Sequence, residues 1–274
     1  MKINVYNFQL TKLQGDKMKT ITKILLVTQT ALLVLGGCTK GASPNLCPTV
    51  CDGLVAYYPF YGDATDKSGN GLDGKVIGAT LTKDRNGYQN HAYRLDGEDD
   101  YLQLDHVPSN GSFTISVLVK FNNVSQNWVT EKQHAWGTIF YSQEERSFWL
   151  GYVHNPNQNK LFYSIHEKSG SWANAEITTI NPLKYNLYTG VADSSNRTIL
   201  LYVNGLLVGK DEWDGSVYGV ANQAYLGVRS PSFNSEQRGN LDGVIDEVRL
   251  YNRALTADEV QELYLFTSAF PPAE

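Results

Sequence analysis

The chain has 274 residues, with 23 Lys and Arg against 28 Asp and Glu, a formal charge of −5, and 12% aromatic side chains. That balance repels the phosphates of nucleic acid and anionic lipid headgroups, so neither is expected as a partner. The same acidity is compatible with divalent-cation sites, and equally with plain solubility.

Residues 1–37 read as a leader and signal peptide, with Met18 as the expected start. Lys19 and Lys23 form the charged end, and Ile24 to Leu35 form the apolar run. At about a dozen residues this run is too short to span a bilayer as a stable helix. A short core helix ending in Gly36-Gly37-Cys38 is the bland alternative, but nothing amphipathic surrounds the run. Leu35-Gly36-Gly37-Cys38 resembles the lipobox of bacterial lipoproteins, which implies lipidation at Cys38 and a membrane attachment through lipid only. Thr39 after that cysteine, by the same resemblance, favours the outer membrane of the cell envelope. Removing Lys2, Lys12, Lys17, Lys19, Lys23 and Asp16 with the leader takes the charge from −5 to −9.

Residues 38–51 form the expected tether, small and polar from Thr39 to Pro48. About fifteen residues between lipid and first strand reach at most about 50 Å when extended. Cys47 and Cys51 are left as a pair in an oxidising compartment, where a disulfide closes a very small loop and pins the start of the domain. Zinc is poorly served by two thiols with no His or Cys cluster following.

From residue 52 to 267 no linker or repeat interrupts the chain, a length that suits one large all-β domain. Phe113, Ile115, Val117, Val119 and Phe121 alternate with Thr114, Ser116, Leu118 and Lys120, so one face of that strand is core. Further strands are expected at Leu54 to Phe60, Tyr93 to Leu95, Tyr101 to Leu104, Thr138 to Tyr141, Phe148 to Val153, Lys160 to His166, Leu187 to Ala192, Ile199 to Val203, Leu206 to Lys210, Ala224 to Val228 and Gly243 to Tyr251. Asn204-Gly205 supplies the positive φ angles of a tight hairpin. Many short strands joined in this way predict a two-sheet antiparallel sandwich. One helix is expected at Thr256 to Tyr264, with Thr256 and Glu259 as a capping box and Leu255 stapled to Val260, before a tail at 268–274.

Four stretches carry a family resemblance: Gly53 to Phe60 running into Asp66-Lys67-Ser68-Gly69-Asn70-Gly71; Leu95-Asp96-Gly97-Glu98-Asp99-Asp100-Tyr101-Leu102; Leu201-Tyr202-Val203-Asn204-Gly205; and Leu241-Asp242-Gly243-Val244-Ile245-Asp246-Glu247-Val248-Arg249-Leu250-Tyr251-Asn252-Arg253-Ala254-Leu255. The chain resembles the laminin-G-like, concanavalin A-like jelly-roll family. The resemblance implies a jelly-roll sandwich in which first and last strands pair, and often a structural Ca²⁺. Pairing those strands is expected to bring Asp63 and Asp66 toward Asp242 and Asp246, with Asn70 in the glycine-bent loop, as a Ca²⁺ site. The competing reading makes Asp66 an Asx-turn and Asp246 an acceptor of loop hydrogen bonds.

The family includes lectins, glycoside hydrolases and protein-binding modules, so the site decides. Its hydrolases carry a Glu-x-Asp-x-x-Glu type of run, which is absent, and no catalytic residue is assigned. Asp246 and Glu247, being adjacent, are expected on opposite faces; Glu144-Glu145 sit in a turn, and Glu212 with Asp214 is a weak pair. Glycan binding needs aromatic platforms beside hydrogen-bonding side chains. Trp128 beside Asn127, Trp172 beside Asn174 and Trp213 between acids are the candidates, while Trp149 and Tyr152 fall on opposite faces of one strand. The expectation is a non-catalytic envelope lipoprotein that binds carbohydrate, with a protein-binding adhesion or assembly module as the alternative and a glycoside hydrolase less favoured.

Overall fold

The computed structural model describes residues 49–269, apart from 106, 108–110, 123–134, 143–147, 156–157, 179, 218–222 and 233–238. These belong to the unit Asn45–Glu274; the unit Met1–Pro44, which holds Cys38, falls outside the described residues, as does Cys47. No described helix is long and apolar enough to cross a membrane.

In chain order the strands are β1 (Leu54–Tyr58), β2 (Lys75–Ile77), β3 (Thr80–Thr82), β4 (Ala92–Asp96), β5 (Tyr101–Asp105), β6 (Phe113–Phe121), β7 (Ala135–Ser142), β8 (Phe148–Asn155), β9 (Gln158–His166), β10 (Trp172–Ile177), β11 (Asn186–Asp193), β12 (Thr198–Val203), β13 (Leu206–Glu212), β14 (Gln223–Leu226) and β15 (Asp242–Tyr251); helix α1 (Ala257–Ala269) follows. Among the described residues they make two antiparallel sheets. Sheet A runs β13-β12-β11-β6-β15-β4-β3, with β1 also on β15, and sheet B runs β10-β9-β8-β7-β14-β5-β2. This is the expected sandwich, and its first and last strands pair, Leu54 with Tyr251 and Tyr58 with Val248.

Apolar alternation places the core between the sheets. Phe113, Ile115, Val117, Val119 and Phe121 of β6 meet Phe140, Phe148, Leu150 and Tyr163 of sheet B, and each such burial contributes about 1.5–3 kcal/mol. The other face of β6 is covered too, because Leu118 packs with Leu187, Tyr251, Val260 and Leu263 under α1. At the β12–β13 hairpin Asn204 and Gly205 have φ of 52° and 78°, as a two-residue turn requires. Three short or polar strands lack a readable pattern in the sequence: β2, β3 and β10.

Helix α1 starts where the capping box puts it and runs five residues beyond Tyr264, through the expected tail boundary, since Leu263 and Thr267 bury against the sheet. The Thr256 amide donates to Glu259 at 2.8 Å, the Glu259 amide donates back at 3.3 Å, and Arg253 grips the same carboxylate at 2.7 and 2.9 Å. Those Arg253 bonds, with the Thr256 donors, pull the Glu259 pKa from 4.5 to about 2. A depressed carboxylate pKa contributes stability above the unfolded value and loses it as pH falls toward the folded one. Glu259→Gln is therefore expected to lower stability by on the order of 1 kcal/mol at pH 7. The gap to the parent should close as acidification passes from about 4.5 to about 2, followed by thermal melts across that range.

Candidate functional site

The outward face of sheet B carries an ordered row of side chains. Leu102 and Leu104 of β5, Ala224 and Leu226 of β14, Phe148 and Leu150 of β8, Tyr163 and Ile165 of β9, and Ala173 and Ala175 of β10 point into the core. The residues between them therefore point outward. Strand register aligns Lys75, Gln103, Tyr225, Tyr141, Trp149, Ser164 and Asn174 in one line across all seven strands. Three aromatic rings occupy its centre, with amide and hydroxyl groups toward both ends.

The rings hold one another edge to face. Tyr141 and Trp149 are 6.1 Å apart at 85°, and Trp149 and Phe162 are 4.6 Å apart at 86°. The Arg229 guanidinium lies 4.6 Å over Trp149 and 5.9 Å over Tyr141. Gly151 makes this approach possible: a Cβ there would lie 2.8 Å from Trp149 Nε1 and 3.0 Å from Phe162. The central rings are thereby a packed floor. Among the described residues of this face an accessible ring stands at the β10 edge, where Trp172, 39% exposed, stacks on His166 at 4.6 Å and 15°. Beside it Ser164 donates to Asn174 Oδ1 at 2.6 Å, and the Asn174 amide nitrogen atoms of backbone and side chain bond Asp211 and the Trp172 carbonyl. At the opposite flank Gln103 and Gln223 donate to Asp105 Oδ1 at 3.0 and 3.3 Å, and Lys75 donates to Oδ2 at 3.0 Å. These bonds, Gln103 foremost and Lys75 next, hold Asp105 below the usual carboxylate range.

The three tryptophans expected to bind ligand have different fates. Trp172 stands on the first position of a strand, outward, where the sequence reading has a loop. Trp213 is 2% exposed, part of the inter-sheet core, and donates Nε1 to the Ser216 carbonyl at 2.6 Å, so it offers no platform. Of its acidic neighbours, Asp214 accepts from the Ser216 amide at 2.7 Å. Trp128 lies outside the described residues. Trp149 and Tyr152 do take opposite faces, outer and core. Cys51 is disulfide-bonded.

The residues expected to share Ca²⁺ do not fit one ion, because each is committed elsewhere. Asp66 accepts the amides of Tyr57 and Ser68 at Oδ1 and the Leu72 amide and Ser68 hydroxyl at Oδ2, all at 2.8–3.1 Å. Those four bonds outweigh burial and lower its pKa. Asp63 caps the Thr65 amide at 2.9 Å, and Asn70 Nδ2 donates to the Val55 carbonyl at 2.8 Å. Asp242 pairs with Arg94 at 2.9 Å, and Asp246 with Arg85 at 3.5 Å. The Asx-turn alternative describes Asp66.

Asp246 and Glu247 are not on opposite faces. The register between β15 and β6 shifts between Asp246 and Arg249, and Glu247 has φ of 51°, a bulge that inserts one residue. Ile245 and Val248 both face the core, and both acids act on the same outer-face phenol, Tyr61, whose pKa rises to about 12 through burial and then their charges. Burial, then the Glu247 charge, raises Asp246 well above the usual carboxylate range. Neither acid is open to a substrate, at 2% and 5% exposure.

A family model of the concanavalin A-like lectin/glucanases superfamily, Laminin_G_3, matches residues 96–261. The chain belongs to this family. No curated protein sequence matches it. Among solved structures, this laminin-G-like chain is similar to the binding domain of botulinum neurotoxin serotype G, with 15% identity, a TM-score of 0.62, and 79% of this chain and 51% of that one covered. It is also similar to the serotype D ligand-binding domain in complex with N-acetylneuraminic acid, with 14% identity, a TM-score of 0.60, and coverage of 78% and 51%. Domain 4 of AbnA, a GH43 extracellular arabinanase from Geobacillus stearothermophilus, in complex with arabinotriose, shares 22% identity at a TM-score of 0.58, covering 77% of this chain and 98% of that one. The match to the toxin domains spans about half their length, and at these identities it establishes the jelly-roll fold.

Proposed function

We propose that the laminin-G-like domain binds carbohydrate on the outward face of sheet B and is held at the cell envelope by lipid on Cys38. The observation that carries the binding reading is Trp172, exposed at the β10 edge of sheet B beside Ser164 and Asn174, at one end of the register-aligned row whose buried central rings form the floor. Sugar rings stack on aromatic faces while their hydroxyls take hydrogen bonds from amides such as Asn174 and Gln103. The complexes of two similar structures with arabinotriose and with N-acetylneuraminic acid support this choice of ligand class. A labelled sample of the protein on a broad glycan array is expected to bind a defined polysaccharide class; silence across the array would favour the protein-binding alternative, for which Leu206, Leu207 and Leu265 are exposed apolar side chains.

The anchor rests on the sequence pattern ending in Cys38. Cys38→Ser is expected to move the protein from the detergent phase to the aqueous phase of Triton X-114 extracts of the expressing cells. Retention in the detergent phase would overturn the lipid tether.

A further inference from the structure

We propose that Tyr61, His91 and Tyr88 form an aromatic platform that docks a basic segment of a partner protein, taking an arginine side chain against its tyrosine rings. Tyr61 lies in the loop that leaves β1, and Tyr88 and His91 lie in the loop between β3 and β4. The His91 ring stands 4.9 Å from Tyr61 and 5.8 Å from Tyr88. Both tyrosines are exposed, at 38% and 37%. A Cβ added at Gly62 or at Gly87, the residues beside them, would meet nothing within 4 Å, so the approach is open among the described residues.

Single exposed rings are ordinary on a protein surface, whereas rings in contact across two loops mark a place for a partner. The loops are fastened to each other. The Gly62 amide donates to the Asn90 carbonyl at 2.8 Å, and Asp84 Oδ1 accepts the Asn86 and Tyr88 amides at 2.8 and 2.9 Å, fixing the turn that carries Tyr88. Tyr61 and His91 each follow a residue in the left-handed region, Phe60 with φ of 56° and Asn90 with φ of 63°. Asparagine tolerates that backbone, but phenylalanine is strained there, and strain of this kind persists where the surrounding structure holds side chains ready for contact. A platform set before binding loses little freedom on binding.

Charge selects the occupant. The charges of Glu247 and Asp246 reach the Tyr61 phenol and, after burial, raise it against the smaller pull of Arg249. Asp63, two residues on from Tyr61, has a side chain 57% exposed. The cations nearby are already engaged, Arg85 with Asp246 at 3.5 Å and Arg249 with Glu247 at 2.7 Å, while Lys67 reaches Asp63 only at 4.0 Å. Ring faces carry the negative part of the aromatic quadrupole, so rings and acids favour the same ligand, a cation. A guanidinium, planar and weakly hydrated, stacks on such a face where an ammonium cannot. The formal charge of −5 draws a basic protein toward the chain from a distance. This surface belongs to loops of sheet A and the glycan row to sheet B, so either reading can fail alone.

Fluorescein-labelled peptides of alternating Gly and Arg, and of alternating Gly and Glu, are titrated with the full-length protein and followed by fluorescence polarisation. Binding of the arginine peptide alone is expected. Tyr61→Ala/Tyr88→Ala should weaken it about 5- to 30-fold, the worth of two exposed cation–π contacts. Tyr88→Ala by itself, in an exposed turn, should cost about two- to fivefold with Tm unchanged. Tyr61→Phe/Tyr88→Phe should stay within about twofold of the parent, because the ring faces remain. Trp172→Ala should match the parent. A parent that leaves the arginine peptide free, a folded alanine variant that binds as the parent does, or a phenylalanine pair that loses as much as the alanine pair would overturn the site. Preferential displacement of the peptide by a chitosan oligomer would overturn the partner and assign the platform to an amino-polysaccharide.

Discussion

Glu247→Gln is expected to destabilise the domain by about 3–5 kcal/mol, the range for removing one partner of a buried ion pair. Glu247 forms an ion pair with Arg249 at 2.7 Å and accepts from the Tyr57 hydroxyl at 3.1 Å, and the Arg249 guanidinium, 1% exposed, sits 4.2 Å from the Tyr57 ring. Burial alone would lower the Arg249 pKa, but the Glu247 charge beside it reverses that and holds the group cationic. The amide variant keeps the volume and leaves an arginine charge inside the protein without its counter-ion. Urea unfolding measures the loss, and the double variant Glu247→Gln/Arg249→Met should recover a large part of it, because no charge is then stranded. A single variant within about 1 kcal/mol of the parent would show that Asp246 takes over as counter-ion.

Trp172→Ala is expected to weaken glycan binding by about 10- to 30-fold, which corresponds to about 1.4–2 kcal/mol, the size of a single aromatic anchor. Its side chain is 39% exposed at the sheet edge, so Tm should hardly move. Trp213→Ala should behave in the opposite manner, costing about 3–5 kcal/mol of stability through the cavity it leaves in the core. Titration calorimetry on the best array ligand, beside thermal melts of both variants, separates the two roles. Equal affinity in the Trp172 variant would place the ligand elsewhere.

That contrast shows what local sequence carries and what it does not. Trp172 and Trp213 both stand among polar neighbours, and nothing within five residues of either says which is stacked at a sheet edge and which is sealed between sheets. The alternation of β6, the Asn204-Gly205 hairpin and the Thr256 capping box are set by neighbours along the chain and were readable from it. Even Trp149 against Tyr152 followed from period two. The row from Lys75 to Asn174, in contrast, depends on seven strands docking in register, and its Tyr225 and Arg229 lie far along the chain from Trp149. The bulge at Glu247 escaped for the same reason: adjacency predicts opposite faces unless a partner strand forces an extra residue into the ladder. Asp66 was legible in both of its readings, and only the Tyr57 and Leu72 amides, brought by folding, decide between them.

Arg253 joins pieces of the domain that are far apart in sequence. Its Nε donates to the Asp52 carbonyl at 2.9 Å and lies 3.1 Å from the Asp52 carboxylate, while its guanidinium grips Glu259 at the start of α1. Asp52 is where the chain passes into β1, so a pull on the segment ahead of it meets this ionic clip before it meets any sheet hydrogen bond. Behind the clip, Leu54 with Tyr251 is the first pair of the β1–β15 ladder, and antiparallel strands drawn from that end peel apart one pair at a time. Under tension on the segment ahead of β1, Arg253 would thus share with the Thr49 hydroxyl, 2.5 Å from Glu262 of α1, the contacts that must yield before the first strand begins to unzip.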